Sequence, residues 1–229
     1  MAWTLTVAST GAMPTGTGTL GISFVSFLPV WIVMMTAMMF PSVSPMALLW
    51  IRSVSARSRT RDRVAGIALF LTGYLCAWTA FGAVVYIALA GTEKLANDSS
   101  NATRWVGVAI FATAGIYQLT PLKRACLRRC RTPFGSIFHY ASYKGPARDI
   151  RVGIHHGLYC VGCCWGLMIV LVAVGAMNIP IMIALAGVIF IEKLWRHGHV
   201  VSKFVGLSLL VLASLAAFVP SMLPGLIVP

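Results

Sequence analysis

His155-His156-Gly157-Leu158-Tyr159-Cys160-Val161-Gly162-Cys163-Cys164-Trp165-Gly166-Leu167-Met168-Ile169-Val170-Leu171-Val172-Ala173-Val174-Gly175-Ala176-Met177 runs without a Lys, Arg, Asp or Glu. A helix of this length reaches about 35 Å, more than the roughly 30 Å of a hydrocarbon core. Working outward, five further apolar stretches cover roughly 22–50, 64–90, 104–121, 179–194 and 203–221. The chain is 59% hydrophobic and 10% charged, with a mean hydropathy of +0.86. Soluble domains run near a quarter charged, so a membrane protein is expected. The expected fold is all-α, a polytopic helix bundle with about six transmembrane helices in a single membrane domain, 1–229. The 179–194 stretch is short and would tilt, thin the bilayer, or pair closely with its predecessor through the turn at Asn178-Ile179-Pro180. Pro41 and Pro45 predict a kink or break after Phe40.

The basic residues set the orientation. Arg52, Arg57, Arg59, Arg61 and Arg63 follow the first stretch, and Lys123, Arg124, Arg128, Arg129, Arg131, Lys144, Arg148 and Arg151 follow the third. Lys193, Arg196 and Lys203 follow the fifth, so 16 of the 18 Lys and Arg fall in alternate loops. The other loops hold Lys94 and Arg104, beside Glu93 and Asp98. The positive-inside rule places both termini outside and the basic loop 122–154 in the cytoplasm. The first 51 residues lack Lys and Arg, so no signal-peptide layout is expected. A net charge of +13 is accounted for by topology and anionic lipid headgroups, so no nucleic-acid partner is expected. The expected partner is the lipid bilayer, with other membrane subunits on the alternative of an assembly subunit, and the expected location is a prokaryotic inner or plasma membrane. The sequons at Asn97 and Asn101 fall in an outer loop and matter only in a glycosylating host.

Five of the six cysteines lie in two clusters that flank the basic loop. Cys126 and Cys130 are four apart and share a helix face, as do Cys160 and Cys163, with Cys164 beside them. Topology puts both clusters at the cytoplasmic interface, where thiols stay reduced. A bundle that joins them would bring up to five sulfurs into one volume. Four thiolates suit zinc or an iron–sulfur cluster; two or three with nearby Met suit Cu(I). Cys is also a common buried residue of apolar helices, and Cys76, alone in the second helix, is expected to serve packing.

Trp31-Ile32-Val33-Met34-Met35-Thr36-Ala37-Met38-Met39-Phe40-Pro41 places Met34 and Met38 on one face and Met35 and Met39 on the next. Met168 and Met177 add thioethers in the fourth span. Such sulfurs are soft ligands, and equally adaptable packing groups. His155 and His156 are further candidate ligands, with His197 and His199 on the same side. Glu192 is the carboxylate within a predicted span, either functional or bridged to Lys193 or Arg196. Asn178 caps the outer turn, and Gln118, with Tyr117, is a polar group at depth able to bond across helices.

The segments Trp31–Pro41, Tyr117-Gln118 through Cys126 and Cys130, His156 through Cys163-Cys164-Trp165, Gly175-Ala176-Met177-Asn178 and Glu192-Lys193 together resemble the "domain of unknown function 2182" family of predicted metal-binding integral membrane proteins. The resemblance spans nearly the whole chain in order. It implies a multi-span protein with a metal site and no established activity.

The reading these features favour is copper handling, by binding, delivery or transport, through Cys126, Cys130, Cys160, Cys163 and Cys164. The cofactor expected is a metal ion, copper ahead of zinc. The alternatives are a structural or assembly subunit of a larger membrane complex and a thiol or metal oxidoreductase. Against the enzyme stand the absence of a thioredoxin-like βαβ context, a haem CxxCH, a phosphate-binding Gly loop, a hydrolytic serine motif and a carboxylate pair.

Overall fold

A computed structural model of the chain describes residues 23–55, 59–98, 100–132, 135, 140, 142–145, 147–175 and 179–218, with the backbone alone at 92–103 and 175. Met177, Asn178, the sequon side chains and both terminal segments lie outside the described residues or side chains. Among the described residues all regular structure is helical, as expected. The helices are α1 (Phe24–Ser55), α2 (Thr60–Asp98), α3 (Ser100–Leu119), α4 (Pro121–Arg131), α5 (Arg148–Gly175), α6 (Ile179–Leu194) and α7 (Gly198–Phe218).

Four segments are long and apolar enough to cross a membrane: Phe24–Ser55, Thr60–Gly91, Arg148–Val174 and Gly198–Phe218. Arg104–Leu119 and Pro121–Arg131 make a fifth if the pair, bent by 64°, is one broken span. The 179–194 stretch became α6, whose 16 residues reach only about 24 Å. Contacts gather the basic segments at one end. Arg148 lies over the Trp50 ring at 5.2 Å, and Arg131 Nη2 donates to the carbonyls of Trp195 and Arg196 at 2.6 and 2.8 Å.

Of the kink or break expected after Phe40, the break does not occur, for α1 runs as one helix through Pro29, Pro41 and Pro45. Pro45 has no N–H to give the Pro41 carbonyl, and Ser44 Oγ donates to that carbonyl at 2.8 Å instead. A hydroxyl thus restores the lost bond from within the same turn. Pro121 creates the same vacancy at Tyr117, which Thr120 Oγ1 fills at 2.7 Å. There the chain does turn, because Thr120 takes an extended conformation and caps α4 by accepting from the Lys123 N–H.

Helix pairing is most extensive between α2 and α5 and between α3 and α7. Small residues make both close. A Cβ on Gly73 would collide with the Ile150 carbonyl, and one on Gly153 with the Phe70 carbonyl. Gly157, one turn on, would meet Ala77 Cβ at 2.8 Å. Gly153 and Gly157 therefore form a GxxxG face that lets backbones touch. Across the bundle, a Cβ on Gly115 would come within 2.9 Å of the Gly206 carbonyl. Between these seams lies a core that includes Trp31, Trp50, Trp78, Tyr74, Phe70, Met35, Met38 and Met39, all buried. The Trp31 indole donates to the Trp78 carbonyl at 2.9 Å and joins α1 to α2.

Gly153→Ala should force α2 and α5 apart, at a cost of about 1–3 kcal/mol typical of overpacking. Gly187→Ala, where the new Cβ meets nothing within 4 Å, should leave the melting temperature of the detergent-solubilised protein unchanged. Equal melting of the two variants would refute the close seam.

Candidate metal centre

Two helices supply the five clustered cysteines. On α4, Cys126 and Cys130 lie one turn apart on the face toward α5, both half-buried. Gly162 makes room for the first, since a Cβ there would sit 3.0 Å from Cys126 Sγ. Cys130 Sγ meets Cys163 Sγ at 3.8 Å. Cys163 Sγ lies 3.9 Å from Cys164 Sγ, and Cys164 Sγ lies 3.9 Å from Met39 Sδ. The four sulfurs form a ladder from half-buried Cys130 to Met39, whose exposure is 0%. All the thiols are free.

Cys160 belongs to a different set. Its sulfur lies 3.0 Å from the Tyr74 hydroxyl and accepts from Lys193 Nζ at 3.0 Å. The same ammonium donates to Ser42 Oγ at 3.2 Å. The Cys160 carbonyl, meanwhile, accepts from the thiols of Cys163 and Cys164 at 3.2 and 2.7 Å. One residue thus orients the ladder with its backbone and meets a buried cation with its side chain.

A second polar group lies beside it. Lys123 Nζ pairs with Glu192 Oε2 at 2.7 Å, both side chains buried, and bonds the Gln118 side-chain oxygen. Ser202 Oγ reaches that oxygen at 3.1 Å and the Gln118 carbonyl at 3.0 Å. Glu192 and Gln118 are therefore brought together, with Lys123 as the link. The carboxylate does not bridge to Lys193 or Arg196. Adjacent residues on a helix point about 100° apart, so Glu192 turns toward α4 and Lys193 toward α1 and α5. Tyr117 does bond across helices, its hydroxyl donating to the Gly162 carbonyl.

The remaining candidates are spread out. His156 is buried against Phe70 and Tyr74, with ring centroids 6.4 Å away in each case. His155 stands edge-on to Tyr140, Tyr143 and Tyr159 at 5.6, 6.1 and 4.9 Å. Met34, Met38 and Met168 are buried core residues. Cys76 is exposed rather than packed, because α2 turns Gly73, Tyr74, Ala77 and Trp78 inward. Among the described residues no three His, Cys, Asp or Glu converge as a metal-binding group. The sulfurs come as successive pairs instead of one five-sulfur volume.

These are soft donors, of the kind that suit Cu(I), zinc and iron–sulfur clusters, and a structural zinc takes four ligands in a tetrahedron. Reading the sequence did not single out Met39, although it adjoins Met38 in the same run. Nor did it find Lys193 or Tyr74, whose roles depend on contacts between residues 33 and 86 positions apart.

A family model described as PpoB2, copper chaperone, matches residues 28–216, which contain the whole ladder. It supports a copper-related protein, under that description and not as domain of unknown function 2182. No curated protein and no solved structure matches the chain.

Proposed function

The chain belongs to the copper chaperone family, and from that premise we propose that it is an integral membrane protein that takes Cu(I) as cargo at the Cys130–Cys163 pair and passes it inward to Cys164 and Met39. The observation that carries this reading is the sulfur ladder, with steps of 3.8, 3.9 and 3.9 Å. Membrane insertion is supported by apolar side chains on the outer surface, among them Phe204, Ile87, Val84 and Leu207, each at least 59% exposed. A soluble monomer would not leave so many large apolar groups in water. The proposed topology is six crossings with both termini outside and the basic segments in the cytoplasm, which puts the entry thiols on the cytoplasmic side.

Charge explains the second set of residues. Thiols bind the ion as thiolates and release their protons. A Cu(I) held by two thiolates carries one net negative charge, and burial of an unpaired charge is costly. Lys193 supplies the compensating cation through its contact with Cys160, one helical turn from the ladder. Cys160 is then a member of the surrounding electrostatic shell, with Cys126 flanking the entry pair.

Protein purified under reducing conditions should hold near-stoichiometric copper by elemental analysis. Cys130→Ser and Cys163→Ser should each abolish that stoichiometry, while Cys76→Ser keeps it. A metal-free preparation from copper-replete cells with every thiol open to alkylation, or one loaded with zinc alone, would defeat the reading.

Lys193→Leu leaves every sulfur in place, adds none, and should lower Cu(I) affinity about 10- to 100-fold, the usual effect of losing an outer partner of a metal site. Competition with a chromogenic Cu(I) chelator measures this, and the melting temperature of the metal-free variant separates lost charge from lost fold. Unchanged affinity would rule out the compensating role.

A further inference from the structure

Opposite its cysteines, α4 carries Arg124, Leu127, Arg128 and Arg131, spaced three and four residues apart so that they share a face. With Thr132 and with His199 from the first turn of α7, they line a cavity of about 400 Å³. Three arginines and a histidine thus contribute to one space whose lining holds no carboxylate. Among the described residues, none of the three arginines forms an ion pair with Asp or Glu. Leu127, 2% exposed, closes the floor. Arg131 is tied by Nη2 to the carbonyls of Trp195 and Arg196, which fixes one wall against the end of α6.

We propose that this cavity binds the phosphate of an anionic phospholipid headgroup. Guanidinium forks match phosphate oxygens in pairs, and the lining brings three arginines together without a carboxylate to oppose an entering anion. The setting selects a lipid as the source. Trp195 is 54% exposed beside the cavity wall, with Leu194 and Leu122 at 45% and 62%. An exposed indole among apolar side chains, at the end of the bundle that collects the basic segments, is the pattern of a membrane–water interface. Basic pockets between helices on that side hold lipid headgroups. The cavity faces away from Cys126 and Cys130, so it is separate from the sulfur ladder. It rests on the membrane part of the proposed function and not on the copper part.

The full chain in detergent would be titrated with phosphatidylglycerol, with phosphatidylcholine and, separately, with inorganic phosphate, with thermal stabilisation as the readout. Phosphatidylglycerol should stabilise selectively. Arg124→Gln and Arg128→Gln should each weaken its apparent affinity about fivefold, the worth of one basic residue at an anionic surface. Arg59→Gln, a basic residue outside the cavity, should not. Equal weakening by all three would mean diffuse surface charge and would overturn the site. Equal stabilisation by inorganic phosphate would overturn the lipid assignment. Alkaline washing of membranes is the separating control. A chain released by the wash refutes membrane insertion itself, whereas one retained but indifferent to headgroup refutes only this cavity.

Discussion

Lys193 is buried with its ammonium against Cys160 and Ser42, because the carboxylate next to it in sequence already holds Lys123. Buried polar groups in an apolar bundle must be satisfied from inside, and this chain has five acidic residues to set against eighteen basic ones. Glu192 takes the cation that comes from α4; the cation on its own helix is left to sulfur. Removing one member of a buried ion pair costs about 3–5 kcal/mol, so the Lys123–Glu192 pair also fixes α4 against α6. With α4 held there, Cys130 stays against Cys163. The ion pair positions the Cys130–Cys163 pair, and the shortage of a second carboxylate places a cation beside the ladder.

Much of this could be read from the residues, and what could not has a consistent cause. Apolar length identified the helices other than α4, which lies in the segment read as a basic loop, and spacing identified the shared faces of Cys126 with Cys130 and of Cys160 with Cys163 and Cys164. Those are properties of one helix. Which sulfur meets which partner depends on contacts between helices, and there the pattern is silent. Cys160, Cys163 and Cys164 look equivalent in sequence, yet one faces Lys193 and two join the ladder. Glu192 sits beside Lys193 in sequence and pairs with a lysine 69 positions away. Gly153 and Gly157 did carry a readable signal, since small residues four apart mark close helix contact. Pro41 and Pro45 do not end α1, where Ser44 gives the Pro41 carbonyl the bond that Pro45 cannot.

The 64° bend at Pro121 decides whether a two-helix thiol site exists at all. If α4 continued along the axis of α3, Cys130 would lie about 16 Å beyond Leu119, past the end of the bundle. The bend turns that distance into a sideways reach of roughly 15 Å, which brings Cys130 onto α5. Thr120 and Pro121 therefore do for the site what a loop would do less rigidly: they aim a short helix, capped at its start, across the ends of its neighbours.

On the proposed reading, a ladder of pairs suits a carrier better than a closed cage would. Four thiolates around an ion hold it firmly and leave no open position, as structural zinc sites do. Two sulfurs hold Cu(I) while leaving its remaining coordination open to the next donor. Cys163 and Cys164 are adjacent on α5 and both orient their thiols on the Cys160 carbonyl, so movement between them needs side-chain rotation and no helix motion. Met39 ends the ladder with a neutral thioether, a softer and weaker ligand than a thiolate. Charge and donor strength then fall together along the path, from thiolates at its start to a neutral thioether at its end.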